Sequence, residues 1–281
     1  MSRAWQQRIG FGGLAALTLI VILPILFVIG NIIAQGLGAI SLEFIFAMPR
    51  AGMRAGGIFP AIVGTILLTL GTALFAIPFG VGGAIYLSEY ARDTPFTRAI
   101  RLALINLAGI PSIVYGLFGL GLFVLFFQFD TSLLAGSLTL ALMTLPVIIS
   151  ASEEALRAVP IEFRAVNASL GGTRWQGIRR IVLPQALPGI ITGVILGLLR
   201  AAGETAPILF TVAAFYLPRL PQSPFDQTMA LPYHLYVIST QVPDMPLEIQ
   251  AGTALVLLTL TLSLNLTATL LRRYFRKRRQ W

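Results

Sequence analysis

The sequence of 281 residues contains no cysteine, a single histidine (His234) and a single lysine (Lys277). Without cysteine the chain has no disulfides, no thiolate metal sites and no CxxC redox pair. A phosphate-binding loop of the form GxxxxGK[ST] is excluded too, because Lys277 stands in a run of arginines and outside any such motif. We therefore expect the chain to bind no metal or cofactor of its own, and to bind no ATP through a P-loop.

Charge is also scarce, at 11% of residues, whereas 56% are hydrophobic and the mean hydropathy is +0.84. A soluble domain carries about 25% charged residues. A water-soluble fold of this length has too little interior to bury so much apolar surface. The composition indicates an integral membrane protein.

Long apolar runs predict where the chain crosses the membrane, since a spanning helix needs about 20 apolar residues. Five runs contain no charged residue: 9–33, 59–87, 102–129, 133–151 and 249–271. A sixth run, 185–210, contains Arg200 and Glu204. The first run is longer than the apolar core of a signal peptide, so it is interpreted as a retained span. The prediction is an all-α membrane protein with six transmembrane helices.

Basic residues are concentrated in alternate connections between these spans. Sixteen of them lie in the N-terminal segment, the second and fourth connections and the C-terminal tail, whereas the opposite side has only Arg50, Arg54 and Arg219. The positive-inside rule places the first group, and with it both termini, in the cytoplasm. The tail sequence RRYFRKRR is interpreted as a topology anchor that touches anionic lipid, in preference to a nucleic-acid site.

The fourth connection, residues 152–183, is predicted to fold into a helical elbow. Its first helix starts at an acidic turn, its second starts at a proline and closes at a left-handed glycine, and its third is capped by a threonine and ends where a proline returns to the membrane. These positions are Ser152, Glu153, Glu154, Pro160, Gly171, Thr173 and Pro184. Such an elbow is either a solvated hairpin without a role or a docking surface for another protein.

The fifth connection, residues 218–248, is rich in proline. Ser223 followed by Pro224 predicts the start of a short helix along the outer interface. His234 lies in this connection, and we expect it to be an interfacial side chain and not a metal ligand.

A family resemblance begins in the elbow, where Gly171 is followed after nine residues by Ile181-x-Leu183-Pro184. This spacing resembles the second half of the EAA motif of ABC-importer permeases, EAA-x3-G-x9-I-x-LP. The first half falls on residues 165–167, which are Ala-Val-Asn, so the usual acidic residue is absent. Glu162, three residues earlier, is the candidate substitute.

Six segments across about residues 25–245 resemble the phosphate ABC-transporter permeases of the PstA type. They are GGIFPAIVGTILLTL, LAGIPSIVYGLFGL, SLLAGSLTLALMTLPVII, SEEALRAVP, TRWQGIRRIVLPQALPGIITGVILGLLRAAGETAPILFT and LPYHLYV. The resemblance implies a single permease domain over residues 1–281, with its core at about 59–271. It also implies the function of a permease subunit in an ATP-driven phosphate importer of the cell inner membrane.

The same resemblance implies partners: a second permease of the PstC type, two copies of a P-loop ATPase that binds ATP and Mg, and a periplasmic phosphate-binding protein. The missing P-loop of this chain agrees with that division of labour. The alternatives are a permease for another oxyanion, such as sulfate or molybdate, and a secondary transporter that acts alone. A membrane enzyme is not expected, because the residues supply no catalytic set.

Arg200 and Glu204 are the unusual feature of the sixth span. A charge at the bilayer centre costs roughly 3 kcal/mol, whereas an i,i+4 pair contributes only about 0.2–0.5 kcal/mol. One interpretation is a buried pair that faces another helix. The other is a charged patch that lines the path of phosphate, whose oxygens match the guanidinium fork.

The segment GIPSIVYG, residues 109–116, predicts an interrupted helix that lines a cavity or forms a packing notch. The residues assigned to the substrate path are therefore Arg200, Glu204, Thr205, Ser112 and Tyr115. The residues assigned to coupling with the ATPase are Glu153, Glu154, Arg157, Glu162, Arg164, Gly171, Thr173, Arg174, Trp175, Ile181, Leu183 and Pro184.

Overall fold

Helices form most of the computed structural model, which describes residues 3–169 and 171–277. The helices are α1 (Arg3–Gly36), α2 (Leu42–Phe46), α3 (Phe59–Ile85), α4 (Pro95–Ala108), α5 (Ser112–Gly119), α6 (Leu133–Arg157), α7 (Ile161–Ser169), α8 (Arg174–Gly177), α9 (Leu183–Gly203), α10 (Ala206–Leu209), α11 (Leu231–Thr240) and α12 (Leu247–Lys277). Strands β1 (Pro49–Arg50) and β2 (Ala55–Gly56) form a short antiparallel hairpin. Residues 278–281 of the basic tail lie outside the described residues.

Five continuous helical stretches are long and apolar enough to cross a membrane. They are Phe11–Ala39, Phe59–Tyr90, Leu133–Arg157, Arg174–Gly203 and Leu247–Thr267. Helix α4 and the stretch Ser112–Phe126, which are bent by 104° relative to one another, count as a sixth span if the pair is taken as one crossing. The bend falls at residues 109–111, within the segment 109–116 where the sequence predicts an interrupted helix. Pro111 explains the bend, since proline lacks the N–H that would continue the helix and disfavours helical geometry in the preceding residue.

The centre of the bundle is α6, which packs against α3 on one side and α9 on the other. Gly189, Gly193 and Gly197 lie one turn apart on α9 and face Ala155, Ala151 and Ile148 of α6. A Cβ added to Gly193 would lie 2.6 Å from the Cβ of Ala151, so the two backbones approach closely. Small residues at four-residue spacing are the usual means of such close packing between membrane helices.

Helix α1 lies at the edge of the bundle and packs mainly on α12. A Cβ on Gly36 would lie 2.6 Å from the carbonyl oxygen of Ala251, which marks the crossing point of the two helices. Most other apolar side chains of α1 are exposed, including Phe27 at 75%. An apolar helix surface of this kind suits a lipid environment.

The elbow between α6 and α9 differs from the sequence prediction at both of its ends. Helix α6 continues to Arg157, so no new helix starts at Ser152, and Glu153 and Glu154 lie in its last turns. At the other end, α8, the π-helical turn Ile178–Val182 and α9 form one continuous stretch, with Pro184 in the first turn of α9. Pro184 directly follows the π-helical turn, where the hydrogen-bond pattern of the helix changes and the backbone N–H of Leu183 donates to the carbonyl oxygen of Ile178.

The middle of the elbow matches its prediction. Helix α7 begins directly after Pro160, and Gly171 takes the left-handed conformation with φ of 69°. The Thr173 hydroxyl accepts a hydrogen bond from the backbone N–H of Gln176, while the Gln176 side chain accepts one from the backbone N–H of Thr173. This reciprocal capping box starts α8.

At the opposite end of the bundle the predicted short helix at Ser223 is absent. Residues 222–226 form a turn in which the carboxylate of Asp226 accepts hydrogen bonds from the backbone N–H groups of Gln222 and Ser223. The helix of this segment is α11, and His234 on it is only 2% exposed. The prediction of an interfacial histidine is therefore wrong, and burial lowers the pKa of His234 to about 4.

Candidate translocation site and coupling elbow

Helix α9 ends three residues after Arg200, inside the run predicted to be a single span. Gly203 is its last residue, and Glu204 is extended, with φ of −76° and ψ of 138°. The chain then turns once as α10. Pro207 accounts for the interruption, because it has no N–H to donate to the carbonyl of Gly203. The predicted continuous helix over 185–210 is thus wrong at residues 204–205, where the helix breaks before it resumes for one turn as α10.

Arg200 and Glu204 nevertheless remain in contact across this helix end. The Arg200 Nε donates to Glu204 Oε1 at 3.2 Å, and the two side chains are 36% and 16% exposed. The two Nη groups of Arg200 have no hydrogen-bond partner among the residues that the structure describes. The pair therefore leaves the outer fork of the guanidinium available to a ligand.

Glu204 lies beside a small cavity of about 10 Å³ where five helices meet, with Ala201 and Ala202 of α9 and Ile208 of α10 on one side. Thr65 and Leu68 come from α3, Leu140 from α6 and Pro232 from α11. Thr65 is engaged there, since its hydroxyl accepts a hydrogen bond from the backbone N–H of Leu231 at 2.8 Å. The cavity has room for about one water molecule beside the carboxylate.

The bend between α4 and α5 lies against the break after α9. A Cβ on Gly116 would lie 3.0 Å from both the Ala206 carbonyl oxygen and the Pro207 Cα. The structure therefore brings the predicted interruption GIPSIVYG into direct contact with the unpredicted break at residues 204–205. Interrupted helices at membrane depth are tolerated where protein or a cavity receives the freed backbone groups.

The five predicted path residues divide into two groups. Arg200, Glu204 and Thr205 lie together at the end of α9, with Thr205 half-buried. Ser112 is half-buried at the start of α5, whereas the hydroxyl of Tyr115 donates to the carbonyl oxygen of Leu107 at 2.9 Å. The Tyr115 hydroxyl thus links α5 back to α4 across the bend.

At the elbow, two of the predicted coupling side chains point inward. Arg164 donates to Glu89 from Nη2 at 2.8 Å and from Nε at 3.3 Å, and also donates to the carbonyl oxygens of Leu156 and Val159. Glu153, 8% exposed, accepts from Arg101 at 3.0 Å and contacts Arg157 at 2.8 Å. Both side chains are therefore engaged within the chain, and their assignment to coupling stays a prediction. Buried carboxylates require such charged partners.

Other predicted coupling residues do lie on the surface of the elbow. Trp175 is 52% exposed, and the Arg174 guanidinium lies 5.3 Å from the ring centre of Tyr90. The exposed members of the predicted set are Glu154, Arg157, Glu162, Gly171, Thr173, Arg174 and Trp175, whereas Ile181, Leu183 and Pro184 are half-buried. Their roles in coupling stay predictions.

Glu89 and Asn167 were missed by the sequence analysis. Glu89 is 7% exposed and lies in the π-helical turn Tyr86–Tyr90 that ends the second span. The sequence feature that could have identified Glu89 is an acidic residue just beyond the end of the apolar run 59–87. Asn167 donates to the carbonyl oxygens of Gly172 and Thr173 and so fixes the turn after α7. No pattern in the sequence distinguished it.

Comparison with known proteins identifies the family. Residues 76–281 match the family described as "Binding-protein-dependent transport system inner membrane component". The chain belongs to this family. Its apolar helices and this membership make it a multi-pass membrane protein.

Named relatives match most of the chain. It is 34% identical over 274 residues to the "Probable ABC transporter permease protein YqgI" of Bacillus subtilis, covering 92% of each chain. It is 34% identical over 271 residues to the "Phosphate transport system permease protein PstA 1" of Mycobacterium tuberculosis, covering 93% of this chain and 85% of that one. The predicted resemblance to the PstA type is confirmed.

A solved structure shares the fold. A bacterial ABC transporter involved in the import of the acidic polysaccharide alginate superposes with a TM-score of 0.69 over 97% of this chain and 99% of that one, at 15% identity. The predicted permease fold is confirmed. The count of six spans holds when the bent pair of helices is taken as one crossing.

Proposed function

We propose that the chain is the transmembrane permease subunit of an ATP-driven phosphate importer and forms half of its anion path. Family membership and the phosphate-transport permeases among its relatives support this function. The structural observation that carries it is the guanidinium fork of Arg200, which has no partner in the described part of the chain and lies at the contact between two interrupted helices. The stand-alone transporter and the sulfate or molybdate permease find no support among these relatives.

The chemistry of the fork suits phosphate. Guanidinium stays charged at any relevant pH and donates two parallel hydrogen bonds to one oxyanion. Glu204 holds the Nε side of Arg200 and offsets part of its charge, so that the anion is not bound too tightly to leave. A carboxylate also accepts a hydrogen bond from a protonated phosphate oxygen, which sulfate lacks at neutral pH.

Energy and substrate delivery come from other subunits in this proposal. The chain works with a second permease of the PstC type, two P-loop ATPase subunits that bind ATP and Mg, and a periplasmic phosphate-binding protein. The elbow faces the cytoplasm, because the basic connections lie at its end of the bundle. Its exposed face, with Glu162 and Trp175, is the surface offered to the ATPase.

The test is uptake by the reconstituted complex. Membrane vesicles containing both permeases and the ATPase, supplied with the loaded binding protein, should take up labelled phosphate only when ATP is present inside. Excess sulfate or molybdate should not compete. Uptake without the ATPase subunit, or equal uptake of sulfate, would refute the proposal. A reporter that places the C-terminus outside would refute the orientation.

A further inference from the structure

The last turn of the second span is held by two arginines from different parts of the chain. This π-helical turn, Tyr86–Tyr90, presents Glu89 to Arg164 of α7 and the carbonyl oxygen of Leu87 to Arg101 of α4. The distances are 2.8 Å for Arg164 Nη2 to Glu89 Oε1 and 3.0 Å for Arg101 Nη2 to the Leu87 oxygen. π-Helical turns inside α-helices occur frequently at functional sites.

Arg164 is fixed from a second direction. Its Nη1 donates to the carbonyl oxygen of Val159 at 2.6 Å and its Nη2 to that of Leu156 at 2.9 Å. These carbonyls belong to the end of α6 and the turn before α7. All three guanidinium nitrogens are therefore engaged, and the corner of the elbow cannot shift relative to Glu89 without losing several charge-assisted hydrogen bonds.

We propose that Glu89 and Arg164 are positioning residues that make the elbow and the end of α3 move as one body. Arg101 extends this unit to α4, since it binds both the Leu87 carbonyl and Glu153. We call Glu89, Arg164 and Arg101 the elbow clasp. The inference rests on the proposed function, in which the elbow is the part that the ATPase displaces.

A continuous series of contacts leads from the clasp to the candidate site. Helix α4 passes its displacement to α5 through the bend, which the hydrogen bond from Tyr115 to Leu107 spans. The backbone of α5 at Gly116 packs directly on Ala206 and Pro207, two and three residues beyond Glu204. Displacement of the elbow would therefore reach the Arg200–Glu204 pair through α4 and α5. A pathway of this kind requires a coupling measurement and not only contact.

The first test compares two carboxylate-to-amide substitutions in the complete complex. Glu89→Gln weakens the buried pair with Arg164. Asp93→Asn weakens an exposed pair, in which Arg98 donates from Nε to Asp93 Oδ1 at 2.8 Å and from Nη2 to Asp93 Oδ2 at 2.7 Å. Glu89→Gln should lower the phosphate taken up per ATP hydrolysed about tenfold, within the range of substitutions along coupled networks. Asp93→Asn should leave that ratio unchanged. An unchanged ratio in assembled Glu89→Gln complex would overturn the proposal.

A rescue experiment separates positioning from simple stability. Since the chain contains no cysteine, Glu89→Cys and Arg164→Cys together provide the only thiols of this subunit. The double variant should hydrolyse ATP with little uptake, and a bifunctional maleimide joining the two thiols should restore uptake per ATP. If the joined complex stays uncoupled or becomes blocked, the clasp is not a fixed link.

A third measurement does not depend on the substrate. Spin labels at Tyr86→Cys and Ile161→Cys, both exposed positions, report the distance between the end of α3 and α7. We expect the same distance distribution in the nucleotide-free and the ATP-bound complex. A shift on ATP binding would overturn the proposal. If the wild-type complex takes up no phosphate, the proposed function fails. The distance between the two labels still shows whether the end of α3 and α7 move as one body.

Discussion

Two arginine–carboxylate pairs, one at the elbow and one at the end of α9, are built differently. Arg164 meets Glu89 through two nitrogens, is bound to two backbone carbonyls and has no nitrogen left over. Arg200 meets Glu204 through Nε alone, and its Nη groups have no partner among the described residues. The first pair lines a cavity of about 340 Å³ between the elbow and the end of the second span, whereas the second pair lies at a helix end beside a cavity of about 10 Å³.

The difference shows that an arginine–glutamate pair can serve either as a fixed link between two segments or as a site with free donors. A fully engaged guanidinium holds two segments at a fixed distance, since any movement costs several hydrogen bonds at once. A half-engaged guanidinium keeps its orientation through one bond while the remaining donors accept and release an anion. Each pair therefore predicts a distinct response to substitution.

The largest effect is expected for Arg200→Gln. Loss of two charge-assisted hydrogen bonds, each contributing about 1.5–3 kcal/mol, should reduce phosphate uptake about 100-fold or more while the complex still assembles. Arg200→Lys should retain only part of the uptake, because a point charge lacks the planar fork. The measurement is uptake normalised to assembled complex, with Arg98→Gln as an exposed control.

The opposite result for Arg200 would mean that its pair is scaffold. In that case Arg200→Gln and Glu204→Gln each leave a charge without a partner, at a cost of at most about 3–5 kcal/mol, and both lower the amount of folded complex. The double variant would then recover both assembly and uptake. Normal transport by the double variant would refute the anion-path role.

The next effect is expected at the elbow turn, with Gly171→Val. Gly171 has φ of 69°, and no atom lies within 4 Å of an added Cβ, so strain comes from the backbone alone. Left-handed geometry costs a side-chain-bearing residue roughly 1–2 kcal/mol, so we expect uptake per ATP to fall about tenfold. Gly171→Asn is the matched control, because asparagine tolerates this conformation. Equal uptake by the two variants would show that the turn does not transmit motion.

A smaller change is expected for Glu204→Gln, which keeps the shape but removes the charge. Arg200 then holds any oxyanion more tightly, and the acceptor for a protonated phosphate oxygen is weakened. The preference for phosphate over sulfate should fall about fivefold, which corresponds to about 1 kcal/mol for one hydrogen bond. The measurement is competition between the two labelled anions. Unchanged selectivity would exclude Glu204 from substrate discrimination.

Local chemistry made parts of this structure predictable. The cap at Thr173, the left-handed Gly171 and the start of α7 after Pro160 depend on residues within one turn of each other. Most apolar spans were likewise visible from length and hydropathy, because the bilayer fixes both. The presence of Arg200 and Glu204 in an apolar run indicated the candidate site.

Other features depended on contacts between distant residues. Glu89 and Arg164 are 75 positions apart, and nothing in either local sequence specifies the partner. Glu153 was interpreted as the start of a helix because the serine before it is a good cap, but without a breaker α6 simply continues. Glu153 is buried because the end of α6 packs against α3 and α4.

The smallest effect is expected for Tyr115→Phe, which concerns the contact between the two helix interruptions. If the hydroxyl serves the bend, as its bond to Leu107 indicates, its loss should lower the stability of the complex by about 1 kcal/mol. The penalty stays small because the Leu107 carbonyl also accepts from the backbone N–H of Ile110 at 3.1 Å. Phosphate uptake and the phosphate preference should remain at wild-type values. Thermal unfolding and anion competition, measured on the same preparation, distinguish a role of the Tyr115 hydroxyl in the bend from a role in the anion path. Reduced uptake at unchanged stability would place the hydroxyl on the anion path, beside Arg200.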